Sequence, residues 1–166
     1  MDRALKERIE KRRKETSIKT MYFNRFLLIR YITAGFFFVN LYWFLSLIMS
    51  NGMWAVVPGI NLVFIIGSAW EQGTMYSSPI DNAKKTIFSF KVILTINIML
   101  VAALFTPIFN KLFPFLKNNM KSYIFILGIS LIGIILSSIC LRRLKKIKNR
   151  TDKQFIYVKQ LEKTIN

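Results

Sequence analysis

Ser137, Ser138 and Cys140 fall within four consecutive positions, two hydroxyls and a thiol of the kind that become nucleophiles when a base sits beside them. No histidine occurs anywhere in the chain, which removes the usual general base, metal ligand and phosphate-carrying side chain together. The acidic residues are Asp2, Glu7, Glu10, Glu15, Glu71, Asp81, Asp152 and Glu162, and only Glu71 stands at the end of an apolar stretch. A proton-coupled exporter needs a carboxylate well inside such a stretch. Glycine-rich phosphate loops, metal-ligand spacings and nucleic-acid motifs are absent from the sequence. Cys140 is the single cysteine, so no intramolecular disulfide can form; it reads as a small apolar residue or a lipidation candidate. The hydroxyls at 137 and 138 read as bonding back to a carbonyl one turn away. The expectation is a non-enzymatic protein with no catalytic residue, cofactor or metal.

Four further polar side chains inside long apolar stretches are singled out: Asn40, Asn61, Thr95 and Asn97. An amide or hydroxyl in hydrocarbon is costly unless bonded, so all four are expected to point into a helix bundle. Asn40 lies 11 residues before Asn51 and Asn61 lies 10 after it, so a turn there brings the two amides to similar depth. Gly133 and Ser137 have the four-residue spacing of small side chains that lets helices approach closely. Pro58 and Pro107 can kink their helices, Pro107 being near enough to an end to act as a stop. Helix packing accounts for these residues. The alternative is a small oligomeric transporter or pore lined by Asn61, Thr95 and Asn97.

These groups must be positioned by four segments, Tyr31–Met49, Met53–Trp70, Val92–Phe109 and Ser122–Leu141, none of which contains Asp, Glu, Lys or Arg. Each approaches the about 20 apolar residues that cross a bilayer as a helix. A soluble bundle would show a polar stripe every three or four residues, and these segments do not. Composition agrees: the 166 residues are 53% hydrophobic yet carry a net charge of +17, so oil and charge are segregated rather than mixed as in a soluble nucleic-acid binder. The predicted class is an all-α integral membrane protein with four transmembrane helices in two hairpins. A basic helix covers 1–30, the bundle 31–141 (spans 31–49, 53–70, 92–109 and 122–141), and a basic amphipathic tail 142–166. A long polar stretch precedes the first span, which therefore reads as retained rather than as a cleaved signal.

Ten basic residues precede Tyr31, three lie between the second and third spans and nine follow Leu141, whereas the turn at 50–52 has none and the 110–121 connection three. Basic residues accumulate on the cytoplasmic side of short loops, so both termini are expected in the cytoplasm, at the plasma membrane. Arg12, Arg13, Lys14, Arg25, Arg30, Lys84, Lys85, Arg142, Arg143, Lys145 and Lys146 form a collar for anionic headgroups, Arg25 and Arg30 by lifting their charge from buried stems. Tyr42, Trp43, Trp54, Trp70, Tyr76 and Tyr123 gather near span ends, Tyr42 and Trp43 lying deeper than an interfacial belt. Ser78 and Pro79 resemble an N-cap and first helical position for the third helix.

The N-terminal segment, with Glu7–Lys11 and Glu10–Lys14 pairs four apart, suits a charged helix, either solvated or lying on anionic lipid. In the tail, Leu144, Ile147, Thr151, Gln154, Val158, Leu161 and Ile165 follow heptad spacing, and Thr151 with Gln154 fits a capping box restarting a helix after Asn149. Coiled coil and lone amphipathic helix both fit. Val158, Leu161 and Ile165 are the candidate docking seam for the N-terminal helix, a second copy or another protein.

The stretch KRRKETSIKTMYFNRFLLIRYITAGFFFVNLYW, residues 11–43, resembles the opening of small four-span membrane proteins of low-GC Gram-positive bacteria, some labelled as cellobiose phosphotransferase-system subunits. The resemblance implies a polytopic membrane protein. The label implies a phosphorylated histidine, which this chain lacks. The expected role is an accessory, regulatory or immunity-type subunit that contacts lipid and a protein partner or itself, and not nucleic acid.

Overall fold

The computed structural model describes residues 3–50, 52–75, 82–152, 155–157 and 159. Its helices are α1 (Arg3–Arg25), α2 (Leu27–Met49), α3 (Val56–Thr74), α4 (Lys84–Ala103), α5 (Ile108–Leu112) and α6 (Met120–Lys148), with a 3₁₀ turn at Met53–Ala55. A further helical turn covers 155–157. Strands are absent among the described residues. Four helices are long and apolar enough to cross a membrane: Leu27–Met49, Met53–Thr74, Lys84–Ala103 and Met120–Lys148. The chain is accordingly a multi-pass membrane protein, since in hydrocarbon the helix satisfies its own backbone groups.

Helix limits follow from local chemistry. α1 and α2 are separated at Phe26, whose amide reaches back only three residues to the Phe23 carbonyl at 3.2 Å. α2 ends at Met49 with Ser50 as its cap, and Gly52 N donates back to the Leu47 carbonyl at 2.9 Å. Pro58 does not kink its helix; it occupies the first turn of α3, where a missing N–H forfeits no helical bond. Pro107 does act as a stop. α4 ends at Ala103, four residues before it, where the ring would meet the carbonyl. The helix that carries the third span is therefore Lys84–Ala103, which starts before the expected 92–109 and stops six residues short of its end. Ser78 and Pro79 lie outside the described residues, and α4 starts at Lys84, after Ala83.

At the end of α6, Arg150 takes a left-handed φ of 56°. Its amide donates to the Ile147 carbonyl and that of Thr151 to the Lys146 carbonyl, both at 3.0 Å, the paired bonds of a Schellman ending. The restart expected after Asn149 occurs, but Asp152 caps it, its Oδ2 accepting from Phe155 N at 3.3 Å. Gln154 lies outside the described residues.

α2 packs on α3, α3 on α4 and α4 on α6, whereas α2 and α6 meet sparsely. Buried positions on α6 are Ile126, Ser130, Gly133, Ser137, Cys140, Leu144 and Ile147, an unbroken four-three alternation. Two apolar clusters hold the ends. One gathers Phe26, Ile29, Phe90, Ile93, Cys140, Leu144 and Ile147 at the end where the basic segments converge. The other, at the far end, joins α5 to the spans through Phe109, Leu112, Phe113, Ile126, Trp43 and Tyr123. Trp43 is thereby drawn inward, its Nε1 donating to the Leu112 carbonyl at 3.0 Å and its ring stacked 5.4 Å from Phe113. Tyr42 stays exposed.

Candidate functional site

Along the α2–α3 hairpin, interleaved with Phe36 and Ile65 of the first cluster, runs a column of polar side chains. Asn61 Nδ2 donates to Asn40 Oδ1 at 2.7 Å, and Asn40 Nδ2 donates to the Phe36 carbonyl one turn back at 2.8 Å. Both residues are buried, and Asn61 Oδ1 has no partner among the described residues. Two turns nearer the basic end, Gln72 Nε2 donates to Thr33 Oγ1 at 3.0 Å and to Ser68 Oγ at 2.9 Å, while Thr33 Oγ1 donates to the Ile29 carbonyl.

Arg30 closes the column. Its Nη2 donates to the Gln72 carbonyl at 2.7 Å, in the last turn of α3, and its guanidinium lies 3.7 Å from the centre of the Phe23 ring. Nε is enclosed without a hydrogen-bond partner among the described residues. Beside this arginine a groove of about 460 Å³ runs between α2 and α3, lined by Thr33, Ala34, Phe37, Ile66, Ala69 and Gly73 among others.

Two carboxylates act at the same end. Asp152 holds Arg25 through both oxygens, Nε to Oδ2 at 2.9 Å and Nη2 to Oδ1 at 2.8 Å. Arg25 also lies 3.4 Å from the Ile147 carbonyl and 5.0 Å from the Phe155 ring. Its side chain is 1% exposed, so it does not lift its charge to the headgroups as its place in the sequence suggests. Bidentate pairing outcompetes snorkelling once a carboxylate is in reach. Glu71 supplies the cap that α4 lacks: Oε1 accepts from Lys85 N at 3.0 Å, and Oε2 from Thr86 N at 2.7 Å and Thr86 Oγ1 at 2.8 Å. A carboxylate on a helix N-terminus meets unpaired amides and the positive dipole end. It stands at the helix boundary rather than inside the bundle.

The intramembrane polar residues are not all gathered. Thr95 is exposed, its hydroxyl donating to the Lys91 carbonyl at 3.0 Å, contrary to the inward orientation expected of it. Satisfying the hydroxyl within its own helix removes the need for an inward partner. Asn97 lies against α6, where a Cβ added to Gly133 would overlap its amide. Asn61 is engaged with α2, so Asn61, Thr95 and Asn97 surround no common space within one chain. Ser137 donates to the Gly133 carbonyl and Ser138 to the Ile134 carbonyl; Cys140 is fully buried.

Of the basic collar, Arg12, Arg13, Lys14, Lys84, Lys85, Arg142, Lys145 and Lys146 are exposed and Arg143 half-buried. Val158, Leu161 and Ile165 lie outside the described residues. Among described residues, groups of three or more His, Cys, Asp or Glu side chains able to hold a metal are absent. The Arg25–Asp152 clamp, the Glu71 cap and the Thr33–Ser68–Gln72 bonds were missed in the sequence. The last had a signal: Thr33 stands 18 residues before Asn51 and Ser68 17 after it, the same depth symmetry that pairs Asn40 with Asn61. Comparison with protein families, with characterised proteins and with solved structures finds no match.

The arrangement is suited to holding helices in register and to presenting one fixed arginine beside an apolar groove.

Proposed function

We propose that this is a non-enzymatic accessory, regulatory or immunity-type subunit of the plasma membrane, with both termini in the cytoplasm, acting through its helix faces and basic ends on a protein partner. The observation that carries the reading is the open bundle. Its four spans pack in a row with α2 and α6 barely meeting, and only 22–28% of each apolar window is buried within the chain. The polar groups near the spans support it, because Glu71, Asp152, Asn40, Gln72 and Ser137 are engaged with the protein's own backbone or with neighbouring helices. Helix association in a bilayer rests on shape, small residues and a few bonds, and an uncovered helix row offers such a surface.

Photo-crosslinking residues placed one at a time at Phe38, Val39, Met99 and Ile132, all exposed, test it in native membranes. One face is expected to give a discrete protein adduct and the others lipid alone. Lipid adducts from every position would overturn the proposal. Solute flux in liposomes that Asn97→Leu abolishes would replace it with the pore.

A further inference from the structure

We infer that the groove between α2 and α3 is a site for one anionic phospholipid, whose acyl chain lies along Ala34, Phe37, Ile66 and Ala69 and whose phosphate is held by Arg30. The inference deepens the membrane reading above by giving one lipid a built place, distinct from a diffuse basic collar.

Three observations converge on it. The groove, about 460 Å³, is of the size that holds a ligand segment, and Ala34, Ala69 and Gly73 keep it open where larger side chains would close it. On α2 its lining extends from Arg30 to Phe37, seven residues or about 10 Å of helix. Charge therefore sits at the mouth and apolar wall beneath it, in the order of headgroup and chain in a leaflet. Arg30 itself is preorganised. Phe23 lies against its guanidinium and the Gln72 carbonyl takes Nη2, yet among the described residues no carboxylate pairs with it. Arg25, five residues earlier, is in the opposite condition, buried and answered by Asp152. A planar guanidinium with donors left over suits a phosphate, and its unanswered charge favours a lipid of net negative charge over a zwitterionic one.

Native mass spectrometry of the full-length protein tests this, after incubation in mild detergent with an equimolar mixture of phosphatidylglycerol and phosphatidylcholine. One retained phosphatidylglycerol per chain is expected, several-fold above phosphatidylcholine. Arg30→Gln should bring the two lipids to equal retention. Ala69→Leu, which fills the groove, should abolish retention of both, and Lys117→Gln in the exposed connection at the far end should change neither. Circular dichroism checks that each variant stays helical; if Arg30→Gln does not fold, Arg30→Lys and Ala69→Leu decide. Equal retention of both lipids by the native protein, or native retention in a folded Ala69→Leu, overturns the site. The purified chain alone is used, so failure here is separate from failure to find a protein partner.

Discussion

Arg25 and Arg30 are the same residue type five positions apart at the start of one span, and their surroundings give them different work. Arg25 is enclosed by Tyr22, Ile147 and Phe155 and neutralised by both oxygens of Asp152. Arg30 lies one turn further on, answered among the described residues by a carbonyl and a ring. Removing one partner of a buried pair leaves the other charge desolvated and unmatched, which is far more damaging than replacing both. Asp152→Ala is accordingly expected to lower stability by about 3 kcal/mol. Asp152 is itself 15% exposed, so water relieves part of the loss. The double variant Arg25→Met with Asp152→Ala should recover most of it. Unfolding by SDS from mixed micelles measures both; a double variant as unstable as the single would show that the pair is not the cause. The pairing was not legible in the sequence. Counting positive charges near span ends assigns every one to the headgroups, and nothing in spacing reveals that residue 152 folds back on residue 25.

At the scale of elements, the sequence revealed the four spans because an uncharged apolar run needs no contrast to be seen. It revealed much less about which faces meet. On α6 the heptad seam was recognised from Leu144 onward, where apolar positions stand against lysine and arginine. The same phase extends back through Cys140, Ser137, Gly133, Ser130 and Ile126. Inside the membrane the contrast inverts: the buried seam is small and weakly polar, and the lipid side is isoleucine and leucine. Only Gly133 and Ser137 betrayed it. Gly133 also faces Asn97 so closely that a methyl group would collide with the amide. Gly133→Ala is expected to destabilise the α4–α6 pair by about 1 kcal/mol, overpacking against the amide being partly offset by alanine's better helix propensity. Asn97→Ser, which shortens the side chain, should restore most of the loss when combined with it. Chemical unfolding of the single and double variants gives the coupling, and simple additivity would place the clash elsewhere. The helix of the third span ends earlier than expected for a related reason. The run to Phe109 stays apolar past Ala103, so hydropathy does not see the break four residues before Pro107.

For the molecule as a whole, the Arg25–Asp152 contact constrains topology more tightly than charge counting does. It joins the residue just before the first span to a residue just after the last, so both lie at one end of the bundle, as an even number of crossings requires. Glu71 bonded to Lys85 and Thr86 puts the middle connection at that same end, whereas Trp43 bonded to Leu112 belongs to the other. Packing thus fixes which ends go together, and the positive-inside rule proposes which of them is cytoplasmic. Single cysteines in a Cys140→Ala background separate the two statements. Ser50 and Met120 are exposed at the far end, Asn82 and Asn149 at the basic end, and replacing them removes no charge. A membrane-impermeant maleimide applied to intact cells is expected to label Ser50→Cys and Met120→Cys, and to reach Asn82→Cys and Asn149→Cys only after permeabilisation. The reverse pattern would invert the protein in the membrane while leaving its packing intact. Labelling that divided Asn82→Cys from Asn149→Cys would contradict the packing itself, since no sidedness can separate two sites that the clamp and the α4 cap hold at one end.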